Sequence, residues 1–165
     1  MSERLNFKPQ KMLMVSQFQK SSDNYCYAEF LKKLAEQSGF EVETFDCKVN
    51  YFFLRPKSSD LLWWPLKLAS NFITNLAFLL KTLRTKPNIL FLVKGENINF
   101  RVLKILKWWQ KFKLINFYPD SPFSVANTNS SYNILRSLPL YDRFAIWSKL
   151  LAQVLQASGS KEVFY

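Results

Sequence analysis

No histidine occurs in this 165-residue chain. That excludes Ser-His-Asp and Cys-His nucleophilic machinery and His-built zinc sites. Any general base has to be Asp, Glu, Lys or Tyr. Glycine is almost as scarce, at three residues. Neither G-x-G-x-x-G nor G-x-x-x-x-G-K-[ST] is present, so the glycines that let a backbone approach a pyrophosphate are missing. A dinucleotide oxidoreductase and a P-loop NTPase are thereby set aside. The two cysteines, Cys26 and Cys47, are too few for a disulfide framework and too isolated for a metal cage. With no apolar signal-peptide core in the polar first ten residues, a reducing, cytoplasmic compartment is the expectation.

What is present is greasy and aromatic. Hydrophobic residues make up 48% of the chain, including 16 Phe and 5 Trp. This composition excludes intrinsic disorder and supports one domain with a real core. Acidic residues are missing from one region in particular. Between residues 47 and 119 there are 13 Lys or Arg against only Asp60 and Glu96, while the remainder carries 10 basic and 10 acidic residues. The whole net charge of +11 therefore lies in the middle of the chain, and such asymmetry implies an anionic partner.

Short unbroken apolar runs between turn signals predict buried parallel strands. They fall at residues 12–16 (MLMVS), 88–93 (NILFLV), 114–118 (LINFY) and 143–147 (RFAIW), with an alternating strand at 40–45 (FEVETF). Helical segments at 25–37, 61–85, 98–111 and 150–157 separate them, with one or two helical turns at 132–137. A last strand begins at Glu162. Strand–helix alternation over residues 1–165 predicts a single α/β domain: a Rossmann-like, doubly wound, mostly parallel sheet in three α/β/α layers. A strand that starts at Glu162 and stops at Tyr165 suggests a polypeptide that continues.

Ligands of such sheets bind in loops beyond the carboxyl ends of the strands. Four loops qualify. The first carries Ser21, Ser22, Asp23 and Asn24; the second Lys94, Gly95, Glu96 and Asn97; the third Asp120 and Ser121; the fourth Ser148 and Lys149. Asp120 is the leading candidate for chemistry, because it follows a buried strand between the stiffening prolines Pro119 and Pro122. An Asx-type turn is the structural alternative. Gly95 is placed either for a positive φ or for close backbone approach.

From residue 86 onward the order and spacing of several motifs resemble the N-terminal domain of GT-B glycosyltransferases, especially the CgeB-like (spore maturation protein-like) group. The elements are Lys86-Pro87-Asn88-Ile89 into a strand, Lys94-Gly95 with Ile98 after it, and residues 103–107 before the strand at 115–118. Asp120-Ser121-Pro122, Tyr141-Asp142 and Ala157-Ser158-Gly159 follow. Where the family shows two acidic residues before the proline, this chain has Asp120 and then Ser121. The first half of the chain matches only by topology. The resemblance implies an acceptor-binding half, with a nucleotide-sugar donor held by a second Rossmann domain and no bound metal. It also implies a glycan or lipid-linked acceptor and little activity for this half alone. Asp120, Glu96 or Asp23 would serve as the base that deprotonates an acceptor hydroxyl.

The basic middle is also aromatic. On a helical wheel Ile98, Val102, Ile105, Leu106, Trp109 and Phe112 share one face; Arg101, Lys104, Lys107 and Lys111 share the other, with Trp108 among them. In the 61–80 segment Lys67, Ser70, Asn71, Thr74 and Asn75 gather on one side, predicting an amphipathic core helix with a greasy rim rather than a membrane span. Trp63, Trp64, Arg101, Lys104, Lys107, Trp108 and Lys111 are the candidates for contact with an anionic membrane surface at the inner face of the cytoplasmic membrane. A non-catalytic module that binds membranes or anionic ligands through this surface is the alternative function. Nucleic acid is a weaker partner, since no recognised nucleic-acid motif occurs.

Overall fold

The apolar runs pair into one sheet. In the computed structural model, which describes residues 9–16, 18, 27–47, 63–119, 121–123 and 130–165, the strands are β1 (Lys11–Ser16), β2 (Glu41–Asp46), β3 (Ile89–Val93), β4 (Lys113–Tyr118), β5 (Arg143–Ile146) and β6 (Val163–Phe164). All neighbours are parallel, in the order β2-β1-β3-β4-β5-β6. The expected mostly parallel sheet is thus wholly parallel among the described strands. The helices are α1 (Tyr27–Gln37), α2 (Trp63–Thr85), α3 (Phe100–Trp109), α4 (Ser130–Ser137) and α5 (Lys149–Ala157), with a 3-10 turn at Leu138–Leu140.

Strand order decides which face each helix covers. The step from β1 to β2 runs one way along the sheet, and every later step runs the other way. Right-handed crossovers then put α1 on one face and α2 to α5 on the opposite face. The cores agree. Leu13, Val15, Leu90, Leu92, Leu114, Phe144 and Ile146 alternate onto the face shared with Phe78 of α2, Leu103 and Leu106 of α3, Ile134 of α4 and Leu155 of α5. Met12, Met14, Ile89 and Val93 point the other way, towards Leu31 and Ala35 of α1, where Tyr27 stacks on Phe117 with ring centroids 5.4 Å apart. The three layers are unequal: one described helix on one side and four on the other.

Two helices differ from their sequence reading, and both differ in the same sense. In α2 the polar side faces inward: Asn75, Thr82 and Thr85 are buried beside Phe78. The outward stripe is apolar, with Phe72 69% and Ile73 64% exposed, and Leu68, Leu76 and Leu80 also exposed. The inward polar groups are satisfied locally, Thr82 Oγ1 donating to the Phe78 carbonyl at 2.8 Å and Thr85 Oγ1 to Glu43 at 3.1 Å. In α3 the buried positions are Leu103 and Leu106, so Ile105 and Trp109 lie outside rather than on the core face. The helix is also shorter than the 98–111 reading. Asn99 caps it in an extended conformation, its Oδ1 accepting the Arg101 N–H at 2.9 Å, and the backbone leaves the helix at Gln110.

Candidate functional site

In the order found here the chain reverses direction along the sheet between β1 and β3, and doubly wound domains take ligands at the carboxyl end of such a switch point. The described residues there belong to the loop after β3. Lys94 and Gly95 both adopt left-handed backbone, with φ of 66° and 67°. The Lys94 N–H donates to the Phe117 carbonyl at 2.9 Å, tying the turn to β4. Gly95 is buried hard against the strand it follows: a Cβ there would lie 3.2 Å from Leu92 Cβ and 3.3 Å from Leu92 Cδ1. Gly95→Ala is therefore expected to lower the unfolding free energy by about 1–2 kcal/mol, from left-handed strain and crowding together. Urea denaturation measures it, and an unchanged midpoint would refute the constraint.

The loop places one carboxylate. Glu96 Oε1 accepts the Tyr118 hydroxyl at 2.6 Å, a bond between the ends of β3 and β4. Its backbone carbonyl accepts from Asn133 Nδ2 of α4 at 3.3 Å. Asn97 is held on two sides: Nδ2 donates to the Cys47 carbonyl at the end of β2 at 3.2 Å, and the Asn97 carbonyl accepts from Asn75 Nδ2 at 3.0 Å. Asn75 Oδ1 also accepts the Asn99 N–H at 2.7 Å. The buried polar side of α2 is therefore the anchor of this loop. Tyr118, Asn75 and Asn133 have no signal as site residues in the sequence, because their partners lie 22 to 37 positions away.

The other sequence candidates are distributed differently. Ser121, beyond β4, uses Oγ to accept the Phe123 N–H at 3.3 Å, which makes it a local turn former. Ser148 caps α5, its Oγ accepting the Leu151 N–H at 3.4 Å, and Lys149 sits 5.8 Å from the centre of the Tyr165 ring. These two follow β5, two strands from β3 and roughly 10 Å away at ordinary strand spacing, and no described bond joins them to Glu96. Asp120, Asp23, Ser21, Ser22 and Asn24 lie outside the described residues, as do the side chains of Trp63 and Trp64, which open α2. Cys47 is a buried thiol whose pKa is pushed up to about 12 by burial and then by the Asp46 carboxylate, which makes it inert as a nucleophile. Among the described residues no three Cys, Asp or Glu side chains group as metal ligands.

The basic residues of α3 divide by role. Arg101 and Lys104 are exposed and Trp108 is 86% exposed. Lys107 instead turns inward, donating to the Asp142 carboxylate and to the Phe112 carbonyl at 3.1 Å. It belongs to the fold's own electrostatics rather than to a free cationic face. Lys111 lines an open depression of about 430 Å³ with Asn88, Lys107, Gln110, Phe112 and Lys113. That depression lies where β3 and β4 begin, at the opposite end of the sheet from Glu96. No model of a known protein family matches the chain, and neither does any curated protein.

Proposed function

We propose that this domain is the acceptor-binding half of a glycosyltransferase that moves a sugar from a nucleotide-sugar donor. The observation that carries the reading is the Glu96 carboxylate, held by Tyr118 beside the switch point of a sheet that has no glycine-rich loop for a nucleotide of its own. The donor belongs to a second Rossmann-like domain, as the resemblance implies. In the transfer, the base takes the proton of an acceptor hydroxyl as its oxygen bonds to the anomeric carbon. The bond from that carbon to the nucleoside diphosphate breaks, and the diphosphate leaves with the electron pair. Glu96 is the candidate for this role among the described residues, and Asp120, which follows β4 in the sequence, and Asp23, which follows β1, are the other two candidates. The acceptor is a glycan or a lipid-linked sugar.

The reading is tested in two steps. In a backbone NMR titration with a panel of glycans and lipid-linked sugar phosphates, the acceptor is expected to move resonances of Gly95, Glu96, Asn97 and Tyr118. A nucleotide-sugar alone moves none of them. In the enzyme that contains both domains, Glu96→Gln is expected to lower kcat by about 100-fold or more with KM little changed, the usual scale for loss of a general base. Glu96→Gln, Asp120→Asn and Asp23→Asn variants that all keep full kcat would end the reading, and so would acceptor shifts confined to the opposite end of the sheet. Salt-dependent binding of anionic ligands with no glycan recognised points instead to a non-catalytic anionic-ligand module.

A further inference from the structure

Among the described residues, the outward face of α2 is a surface feature that the loop after β3 does not explain. Leu68, Phe72, Ile73, Leu76 and Leu80 repeat at three- and four-residue steps, so they form one stripe along about 18 Å of helix. All five are exposed. Together they form one contiguous apolar patch, and the largest such patch on a monomer, typically about 300–600 Å², is often functional. The next helix on the same face of the sheet, α3, adds Ile105, Trp108 and Trp109, each between 45% and 86% exposed. Its buried polar side chains Asn75 and Thr85 are bonded inward to Asn97, Asn99 and Glu43, which leaves the apolar stripe facing outward, as a helix lying against an apolar medium would have it.

Charge selects the medium. Neither α2 nor α3 contains an acidic residue, while Arg84, Arg101 and Lys104 are exposed on them. A second copy of a chain with net charge +11 would set like against like across this face. An anionic bilayer supplies both hydrocarbon for the stripe and phosphates for the rim, and indole rings favour the boundary between them. Among the described residues no helix is long and apolar enough to cross a membrane, so α2 and α3 would lie along the surface. We infer that the α2–α3 layer is a docking surface for an anionic membrane leaflet, with α2 seated in the headgroup boundary and the cations of α3 on its rim. The inference is independent of the transferase reading, because none of these residues lines the Glu96 loop.

Vesicle co-sedimentation with the full chain tests it. Phosphatidylcholine vesicles containing phosphatidylglycerol are expected to bind at least about 10-fold more tightly than phosphatidylcholine alone, less so as salt rises, with a blue shift of tryptophan emission. The double variant Phe72→Ser, Ile73→Ser is expected to bind about 10-fold more weakly or worse at an unchanged melting temperature. Arg101→Glu with Lys104→Glu is expected to lose the preference for phosphatidylglycerol. Three results would each overturn the inference. One is no binding to the anionic vesicles at low salt. Another is binding that the Phe72, Ile73 variant leaves intact, which is charge adhesion only. The third is a stable dimer that this variant dissociates, which assigns the face to a second copy. None of the three bears on acceptor shifts at Glu96.

Discussion

Asn75→Ala is expected to lower the unfolding free energy by about 2–3 kcal/mol, whereas Ile73→Ser, two positions earlier on the same helix, is expected to change it by less than about 0.5 kcal/mol. An ordinary amphipathic helix gives the reverse result. Asn75 is 9% exposed and makes three bonds, to the Asn71 and Asn97 carbonyls and from the Asn99 N–H. Each internal hydrogen bond of this kind is worth about 1 kcal/mol net, and leaving a partner unsatisfied costs more than the bond itself returned. Alanine is the better helix former, which recovers a few tenths of a kcal/mol. Ile73 points away from the core, and serine has a similar helix propensity, so nothing of weight is lost there. Urea unfolding of both variants measures the contrast. A larger loss at Ile73 than at Asn75 would show that α2 is seated the other way round.

The second large effect belongs to Asp142. Its carboxylate accepts the Leu114 N–H at 2.8 Å, pairs with Lys107 of α3 through the same oxygen, and meets Lys161 at 3.4 Å through the other. One side chain thus ties the start of β4 to α3 and to the segment before β6. Asp142→Ala is expected to cost about 2–3 kcal/mol, the scale for hydrogen bonds to a charged, partly buried group. The charge also makes this stability pH-dependent. Burial pushes the Asp142 pKa up, but the bonds from Lys107 and Leu114 and the two ammonium charges outweigh it, and the carboxyl ends below its ordinary value. A depressed carboxyl contributes stability that is fully present above the unfolded value, about 3.9, and is lost as the pH falls through the folded one. Wild type is therefore expected to lose stability more steeply than Asp142→Asn below about pH 4. Equal acid limbs in urea midpoints taken from pH 6 to pH 2 would remove the pair from the account. Glu43, lowered by its hydrogen bond from Lys81 against the opposing effect of burial and helped by Thr85, contributes in the same direction and remains in both proteins.

The strands were legible from the chain because a run such as residues 89–93 has only one economical place, between two covered faces. The helix positions were legible for the same reason, by period and by turn residues. The orientation of α2 and α3 was not. Periodicity reports that a helix has an apolar side; it does not report whether that side meets this chain's own sheet or something beyond it. Asn71, Thr74 and Asn75 looked like a solvent face; Asn71 and Thr74 are instead half-buried and Asn75 is buried, bonded to Asn97 and Asn99, partners that no local pattern announces. At the candidate site, Glu96 and Asn97 were nominated by the rule that loops after parallel strands carry ligands. The hydroxyl that orients Glu96 comes from the last residue of β4, which reads simply as the end of an apolar strand. Lys107 shows the same limit: it shares a helix with Lys104, yet only the fold reveals that Asp142 claims it.

The insertion of β1 between β2 and β3 also sets how the molecule assembles. From β3 to β6 each strand joins the one before it, with Ile89 beside Lys113, 24 positions on. Met12 must find Ile89 across 77 positions. Closing the longer loop costs about 1 kcal/mol more in chain entropy than closing the shorter one, and it is the most distant pairing among the described strands. The two parts of the sheet join along that seam, and the loop that carries Glu96 follows β3 at its carboxyl end. The candidate site thus exists only once this pairing has closed, so any ligand bound there would report completed folding rather than a partly assembled sheet.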